Sequence, residues 1–257
     1  MTTPDDILEF WFPDGPDPEP QAHLDHWVWR MRGGAGPAVM ARYTPLTEQA
    51  VRGELDHWAA TPCGRLALII VLDQFPRSIW ADTPEAYASD PKALALCLEG
   101  FDNGHFDKLE NVWFKSMFKL PLEHCECDDH LANLDRAIAV AEAAQRAAPE
   151  RLRKFYEVGV EQPKKHWEVI ARFGRHSHRN AVLGRQSTPE EAEYLSAGTF
   201  PHQTDLRTIA AKTEGQQAAA AARSAAGWQT QRRSPICREL CAIAADGPGQ
   251  LAACLRI

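Results

Sequence analysis

The sequence lacks long apolar runs and also lacks the alternation of apolar and polar residues that marks β-strands. Its longest apolar run, Leu66 to Leu72, is far shorter than the roughly 20 residues that span a bilayer, so no membrane partner is expected. No basic-then-apolar leader precedes Phe10, and we therefore expect a cytoplasmic protein. Because no alternating run is bounded by turn signals, a β-sheet is not expected either.

Motifs that would anchor a familiar chemistry are also missing. There is no Gly-x-Ser-x-Gly and no Gly-x-x-x-x-Gly-Lys, which leaves serine-nucleophile and phosphate-loop mechanisms without a local basis. The seven cysteines are odd in number and irregular in spacing, unlike a disulfide framework. Cys125 and Cys127 are separated by one residue rather than the two of common zinc knuckles. We therefore predict neither a metal nor a cofactor.

Positive charge is scarce for a nucleic-acid-binding protein. The formal net charge is −7, and the excess of acidic residues lies in residues 1–200. Phosphate neutralisation requires a broad basic face, so a nucleic-acid partner is not expected. Apolar residues at 44% and charged residues at 25% are ordinary for a globular protein.

Helix signals, by contrast, are frequent, and they predict an all-α protein. Thr188-Pro189-Glu190-Glu191 is a capping box with proline at the first helical position, the clearest helix start in the chain. Short loops between helices suggest antiparallel hairpins stacked in an array. The predicted helices begin at Pro4, cover Gln21 to Met31, Thr47 to about Ala59, Pro62 to about Phe75, Lys92 to Glu99, Leu109 to Phe118, Pro121 to about Ala147 and residues 149–173, and begin again at Thr188.

Composition divides the chain near Gln203. Residues 1–203 carry the amphipathic helical patterns and are predicted to form one domain. Beyond them the texture changes, because residues 216–226 are mostly Ala and Gln and the apolar stripes become faint. We interpret residues 204–257 as an Ala-rich C-terminal extension, either a helical cap or a partly mobile tail.

One segment, residues 172–185, holds four arginines and two histidines and no acidic residue. Guanidinium groups do not discharge, so these cations must meet carboxylates of the same fold, water or an anionic ligand. Gly174 and the His-Ser-His sequence allow a turn, in which arginine forks can converge on one anion. The alternative is a structural network in which Asp73, Glu123 or Glu126 pairs with the arginines and holds helix hairpins together.

Two further segments can supply carboxylates or share a ligand with the basic one. Asp73 ends the buried apolar run, where an unpaired charge would cost several kcal/mol, so it must have a partner nearby. In residues 123–130, helical spacing would place His124 and Asp128 on one face, as in metal-chelating helices. His166 lies on the helix that leads into the basic segment and is a candidate general base.

Together these segments resemble the bacterial DUF924 family. The resemblance rests on Phe10-Trp11-Phe12, Leu72-Asp73-Gln74-Phe75-Pro76-Arg77 and Leu120-Pro121-Leu122-Glu123-His124. It rests most on Arg172-Phe173-Gly174-Arg175, His178-Arg179-Asn180 and Leu183-Gly184-Arg185, followed by Ser187-Thr188-Pro189-Glu190-Glu191. It implies an all-α, tetratricopeptide-like right-handed array of helices and, since the activity of the family is not established, no reaction. Cys125 and His176-Ser177 depart from the family pattern and add ligand atoms at the same place.

The leading functional hypothesis is a pocket for a small anionic molecule, a carboxylate or a phosphate. An acidic peptide bound by a protein-interaction scaffold is the second hypothesis, and a metal-assisted hydrolase using His124, Glu126 and Asp128 is the third. Whether the protein is an enzyme is left open. The candidate catalytic residues are His124, Glu126 and His166, and the candidate ligand-binding residues are Asp73, Gln74, Arg77, Arg172, Arg175, His178, Arg179, Asn180 and Arg185.

Overall fold

The architecture is known from a computed structural model that describes residues 2–15 and 18–198. That part of the chain is helical and contains no β-strand, as the sequence predicts. None of its helices is long and apolar enough to cross a membrane. The helices are α1 Pro4–Trp11, α2 Pro20–Met31, α3 Gly36–Val51, α4 Pro62–Asp73, α5 Pro76–Ile79, α6 Asp90–Asp102, α7 Val112–Phe118, α8 Leu120–His124, α9 His130–Ala147, α10 Glu150–Phe173 and α11 Pro189–Ser196, with 3₁₀ turns at Asp56–Ala60, Pro84–Ala86 and Ser177–Arg179.

Helix α4 is the centre of the core. Every one of its residues is buried, as expected for a helix that is apolar all round. Thr61 caps its N-terminus by accepting a hydrogen bond from the Gly64 amide at 3.1 Å, and Pro62 occupies the first helical position. Helices α1, α3, α6, α7 and α8 all contact α4. Asp73, the last residue of α4, is therefore held at a fixed place on the edge of this core.

Helices α9 and α10 form a long hairpin joined by only two residues. Gly174 ends α10 in the left-handed conformation, with φ of 70°, and its amide bonds the carbonyl of Ile170 at 2.8 Å. This is the usual glycine termination of a helix, in which an L side chain would be strained. It turns the chain back so that the following residues contact α6 at Asp90 and α8 at Glu123.

Three predicted helix boundaries are wrong. Thr47 does not cap a helix but lies inside α3, where its hydroxyl donates to the Tyr43 carbonyl at 2.9 Å. The helix predicted from Leu109 begins only at Val112, after the Asn111 cap. The helix predicted from Pro121 to Ala147 is interrupted at Cys125, whose ψ of 147° is extended, and resumes at His130. Asp128 therefore does not share a helical face with His124.

The C-terminal extension predicted for residues 204–257, as a helical cap or a mobile tail, lies outside the described residues.

Candidate functional site

The three predicted segments come together where α4, α8 and the chain after α10 meet. Asp73 accepts hydrogen bonds from Nδ1 of His124 at 2.9 and 3.0 Å, and the amide of Gln74 also donates to it. Its side chain is 1% exposed. Burial alone would raise the pKa of Asp73, but His124 and Arg77 hold that pKa well below its usual range. The partner that the sequence demands for this carboxylate is thus mainly a histidine.

Asp90, at the start of α6, joins two of the candidate arginines. Its carboxylate accepts from Nη2 of Arg77 at 3.0 and 3.1 Å and from Nη1 of Arg179 at 3.0 Å. Both guanidinium groups also lie over the ring of Tyr87, at 5.6 and 4.4 Å from its centroid. Two cations therefore share one buried carboxylate, and Arg77 has Asp73 as a second, more distant partner at 3.7 Å.

A line of histidine rings runs across the same place. His124 lies 6.3 Å from His166, His166 lies 5.4 Å from His176, and His176 lies 5.1 Å from His130, between ring centroids. Burial and the nearby cations lower the pKa of His130 to about 4 and lower the pKa values of His166 and His176 well below their usual range. These imidazoles are consequently neutral at physiological pH.

The tautomers of two of these histidines follow from one shared acceptor. The backbone carbonyl of Glu123 lies 3.1 Å from Nε2 of His176 and 3.4 Å from Nε2 of His130. Because a carbonyl only accepts, each Nε2 must carry the proton. The Nδ1 atoms of both rings are then unprotonated acceptors, and both are buried without a hydrogen-bond partner. We use the name polar cluster for the acids, arginines and histidines that meet here: Asp73, Asp90, Arg77, Arg179, His124, His130, His166 and His176.

Glu126 holds the basic segment from the other side. Its carboxylate accepts from Arg185 at 2.6 and 3.1 Å and from the backbone amide of His176 at 2.7 Å. Burial opposes the charged form of Glu126, but these bonds still lower its pKa. The pairing of Glu126 with an arginine of the basic segment is the arrangement expected of a structural network. Glu123, another of the three acids named for that network, pairs instead with Lys119 one helical turn earlier.

Arg175 is also paired within the protein. Glu191 of α11 accepts from its Nε and Nη2 at 2.8 Å each and from the Ser177 hydroxyl at 3.0 Å. The two-pronged bond from Arg175 is the main reason that the pKa of Glu191 is lowered. Asn180 donates to the Ser187 hydroxyl at 3.1 Å. Arg175 and Asn180 therefore fix the course of the chain between α10 and α11.

The remaining candidates lie less centrally. Arg172 is exposed and lies over the ring of its neighbour Phe173, at 4.7 Å from the centroid. The ring of His178 lies 5.5 Å from that of His176. Asp128 lies in the exposed turn between α8 and α9. Among residues 2–15 and 18–198, no three His, Cys, Asp or Glu side chains are placed to hold one metal ion, so the metal-assisted hypothesis gains no support.

An open cavity of about 450 Å³ lies on another part of the surface. Asp56, Arg65, Lys92 and Glu99 contribute its charged groups, and none of the predicted site residues lines it. The charges are already paired, Lys92 with Asp56 at 2.6 Å and Arg65 with Glu99 at 3.0 Å. We therefore do not take this cavity as the functional site.

Four residues of this region were not named as site candidates from the sequence. Asp90 lies at the start of α6 and Glu191 in the capping box of α11, positions that indicate only a helix start, although each also pairs with an arginine of the basic segment. His130 and His176 lie in segments that the sequence singles out, but a single histidine gives no signal that marks it as a site residue. The clue available in the sequence is the charge imbalance of the basic segment, which predicts carboxylates of the same fold, water or an anionic ligand as its partners.

Comparisons with known proteins agree with this architecture. Residues 7–199 match the profile of a family described as bacterial protein of unknown function, DUF924. A solved structure of a protein of unknown function from Agrobacterium tumefaciens is 30% identical in sequence and superposes with a TM-score of 0.54, covering 75% of this chain and 96% of that one. No functionally curated protein matches the chain.

Proposed function

Because the chain belongs to the bacterial DUF924 family, whose function is not established, we propose a function from the site itself: the protein binds a small molecule with a carboxylate or phosphate group at the polar cluster. The observation that carries this proposal is the Arg179 guanidinium. It is 4% exposed, and its Nε is buried without a hydrogen-bond partner. A buried donor left unsatisfied costs about 1–3 kcal/mol, which an anionic oxygen would recover.

The charge around Arg179 also favours an anion. Arg179 shares Asp90 with Arg77, and the positive charge of Arg77 disfavours the charged form of the Arg179 guanidinium. Burial lowers the pKa of Arg179 first of all, although a guanidinium remains charged at any physiological pH. A second negative group beside Arg179 would therefore be more strongly attracted there than at the exposed Arg172.

Unpartnered acceptors in the polar cluster and at Asn180, the residue after Arg179, indicate which further groups the ligand carries. The Nδ1 atoms of His130 and His176 offer lone pairs, and the carbonyl oxygen of Asn180 is likewise buried without a partner. A ligand with hydroxyl groups beside its anionic group would satisfy these acceptors as well as the Arg179 donor. We therefore expect a hydroxycarboxylate or a sugar phosphate rather than a simple fatty acid.

The other candidate residues receive supporting roles in this proposal. The turn after α10 is held in place by Arg175 and Asn180. The carboxylates of Glu126 and Asp73 are held by Arg185 and Gln74, respectively. Nδ1 of His124 donates to the Asp73 carboxylate, which leaves Nε2 for the ligand. This arrangement suits a general acid or base if a reaction takes place. His166 lies beside His124, Glu126 holds Arg185 and the amide of His176, and His178 lies beside His176.

We propose that the helices form a tetratricopeptide-like right-handed array in a cytoplasmic protein, supported by the α9–α10 hairpin and its short connection. An acidic peptide end would use the same arginines as a small anion, so it is an alternative occupant of the polar cluster.

Thermal unfolding with inorganic phosphate, a sugar phosphate and a small hydroxycarboxylate tests the proposal. A ligand at 100 times its Kd stabilises the folded state by about 2.7 kcal/mol, which raises the Tm by several degrees. We expect at least one of these probes to raise the Tm of the wild type. Arg179→Lys retains the charge and the pairing with Asp90 but loses the planar fork, so its Tm shift should be much smaller.

Arg172→Ala is the matched control, because it removes an arginine of the same segment that is exposed. Its Tm shift with each probe should equal that of the wild type. The proposal is wrong if no probe shifts the wild type, or if Arg179→Lys responds as fully as Arg172→Ala does.

A further inference from the structure

The turn between α8 and α9 brings two thiols together. The sulfur atoms of Cys125 and Cys127 are 3.2 Å apart, and neither forms a disulfide. Cys125 is 3% exposed, whereas Cys127 is exposed. A disulfide bond is about 2.0 Å long, so the two sulfurs need to approach by about 1.2 Å to form one. This pair has no part in the anion site proposed above.

A single amide contacts both sulfurs. Nδ2 of Asn133, in the first turn of α9, donates to Sγ of Cys125 at 3.6 Å and to Sγ of Cys127 at 3.5 Å. Asn133 is itself buried. An amide donor in this position stabilises negative charge on either sulfur and holds both in one orientation. The thiols are thus adjacent in space as well as close in sequence.

The two thiols differ in their surroundings in the way that a redox pair requires. Burial, and then the neighbouring Cys127, raise the pKa of Cys125, which therefore stays protonated. Cys127 is open to solvent and can be reached by an oxidant. One thiol is therefore placed to be oxidised and the other to resolve the oxidised form.

We propose that Cys125 and Cys127 are a reversible redox dithiol, which a hydroperoxide converts into an intramolecular disulfide. The Cys127 thiolate attacks the terminal, hydrogen-bearing oxygen of the hydroperoxide, the O–O bond breaks, and the other oxygen leaves and takes a proton from solvent to become an alcohol or water. Cys127 is then a sulfenic acid. The Cys125 sulfur attacks it, the S–O bond breaks, and hydroxide leaves and takes the Cys125 proton as water. Two thiols have lost two electrons and the hydroperoxide has gained them.

Closure of this disulfide acts on the neighbouring ion pair. Glu126 lies between the two cysteines and holds both Arg185 and the amide of His176. A ring closed across residues 125–127 restricts the backbone that positions the Glu126 carboxylate. Oxidation at this turn therefore affects the contacts that Glu126 makes with the chain after α10.

Peptide mapping of the full-length protein tests the proposal. The reduced protein is treated with stoichiometric hydrogen peroxide, denatured, blocked with a maleimide and digested with trypsin. Both cysteines fall in one peptide, residues 120–136, with no other cysteine. We expect this peptide to lose about 2 Da and to take up no maleimide, and dithiothreitol should restore both thiols. Residues 93–108 carry the buried Cys97 and should remain fully blocked by maleimide.

Two single variants separate an intramolecular bond from other oxidation. Cys127→Ser and Cys125→Ser should each abolish the 2 Da loss, and Cys125→Ser should accumulate sulfenic acid on Cys127. The proposal is overturned if the wild-type peptide keeps two maleimides after peroxide treatment, if Cys127 proceeds to irreversible acids instead, or if it pairs with a cysteine of another peptide.

Discussion

Replacing the shared carboxylate in Asp90→Asn should destabilise the protein strongly. Asp90 is 5% exposed and accepts hydrogen bonds from both Arg77 and Arg179. Removing one partner of a buried ion pair typically costs about 3–5 kcal/mol, because the remaining charge is left desolvated. Arg77 retains Asp73 at 3.7 Å, so we expect a value of about 3 kcal/mol, at the lower end of that range.

Urea unfolding at pH 7.5 measures this loss. With a denaturant slope of roughly 2–3 kcal/mol per molar urea, a loss of about 3 kcal/mol moves the midpoint down by about 1 M. Glu99→Gln is the matched control, since Glu99 also makes two bonds to a buried arginine, Arg65, but its own side chain is 62% exposed. Arg65 keeps the carbonyls of Ala59 and Leu96 as partners.

Glu99→Gln should therefore cost less than about 1 kcal/mol, as exposed ion pairs do. A loss below 1 kcal/mol for Asp90→Asn, or equal losses in the two variants, would refute the assignment of Asp90 as the central carboxylate. The slope of the urea transition should stay unchanged in both proteins, because neither substitution alters the surface exposed on unfolding.

Three further predictions concern acid, packing and redox rate. The free energy of unfolding should fall as pH drops from 7 to 4. Burial lowers the pKa of His130 to about 4, whereas the same side chain in the unfolded protein takes up its proton near 6.5, so the unfolded state binds more protons in that window. In a series of urea-unfolding measurements at different pH, His130→Gln should reduce the dependence of this free energy on pH, and an unchanged dependence contradicts the prediction. Gly64→Ala should lower the free energy of unfolding by about 1–3 kcal/mol, since its Cβ would lie 2.2 Å from the Trp58 carbonyl oxygen. Gly159→Ala, whose Cβ would have nothing within 4 Å, should raise that free energy by up to about 1 kcal/mol. Calorimetry that ranks the two variants in the opposite order would contradict this. Asn133→Leu should slow peroxide oxidation of Cys127 about tenfold, because the thiolate loses a hydrogen bond. Blocking with maleimide at timed intervals measures this rate, and an unchanged rate would mean that Asn133 has no part in the oxidation.

Local signals were sufficient for the elements whose sequence and surroundings agree. The continuous apolar run of α4, with Thr61 and Pro62 at its start, predicted a buried helix ending near Asp73. The capping box at Thr188 predicted the start of α11, and both capping bonds are present. The basic segment predicted partners among carboxylates of the same fold, water or an anionic ligand, and three of its arginines, Arg175, Arg179 and Arg185, have carboxylate partners in the fold.

Tertiary contacts decided the elements that the sequence did not predict. The chain from Pro121 has no strong helix breaker before Ala147, so one helix was expected. With Cys125 extended instead, Glu126 bonds Arg185 and the amide of His176, two contacts with residues at least 50 positions away in the chain. The bridging role of Asp90 depends on a contact with Arg179, 89 residues away, which no local pattern specifies.

Glu191 has a consequence for how the chain opens. Its carboxylate completes the capping box of α11, accepting from the Thr188 amide at 2.8 Å, and simultaneously anchors Arg175 and Ser177. Fraying of α11 therefore releases the turn after α10, and displacement of that turn uncaps α11. In native-state hydrogen exchange the two stretches should behave as one cooperative unit and lose protection with a common free energy of opening, so that α11 and the turn carrying Arg179 open together.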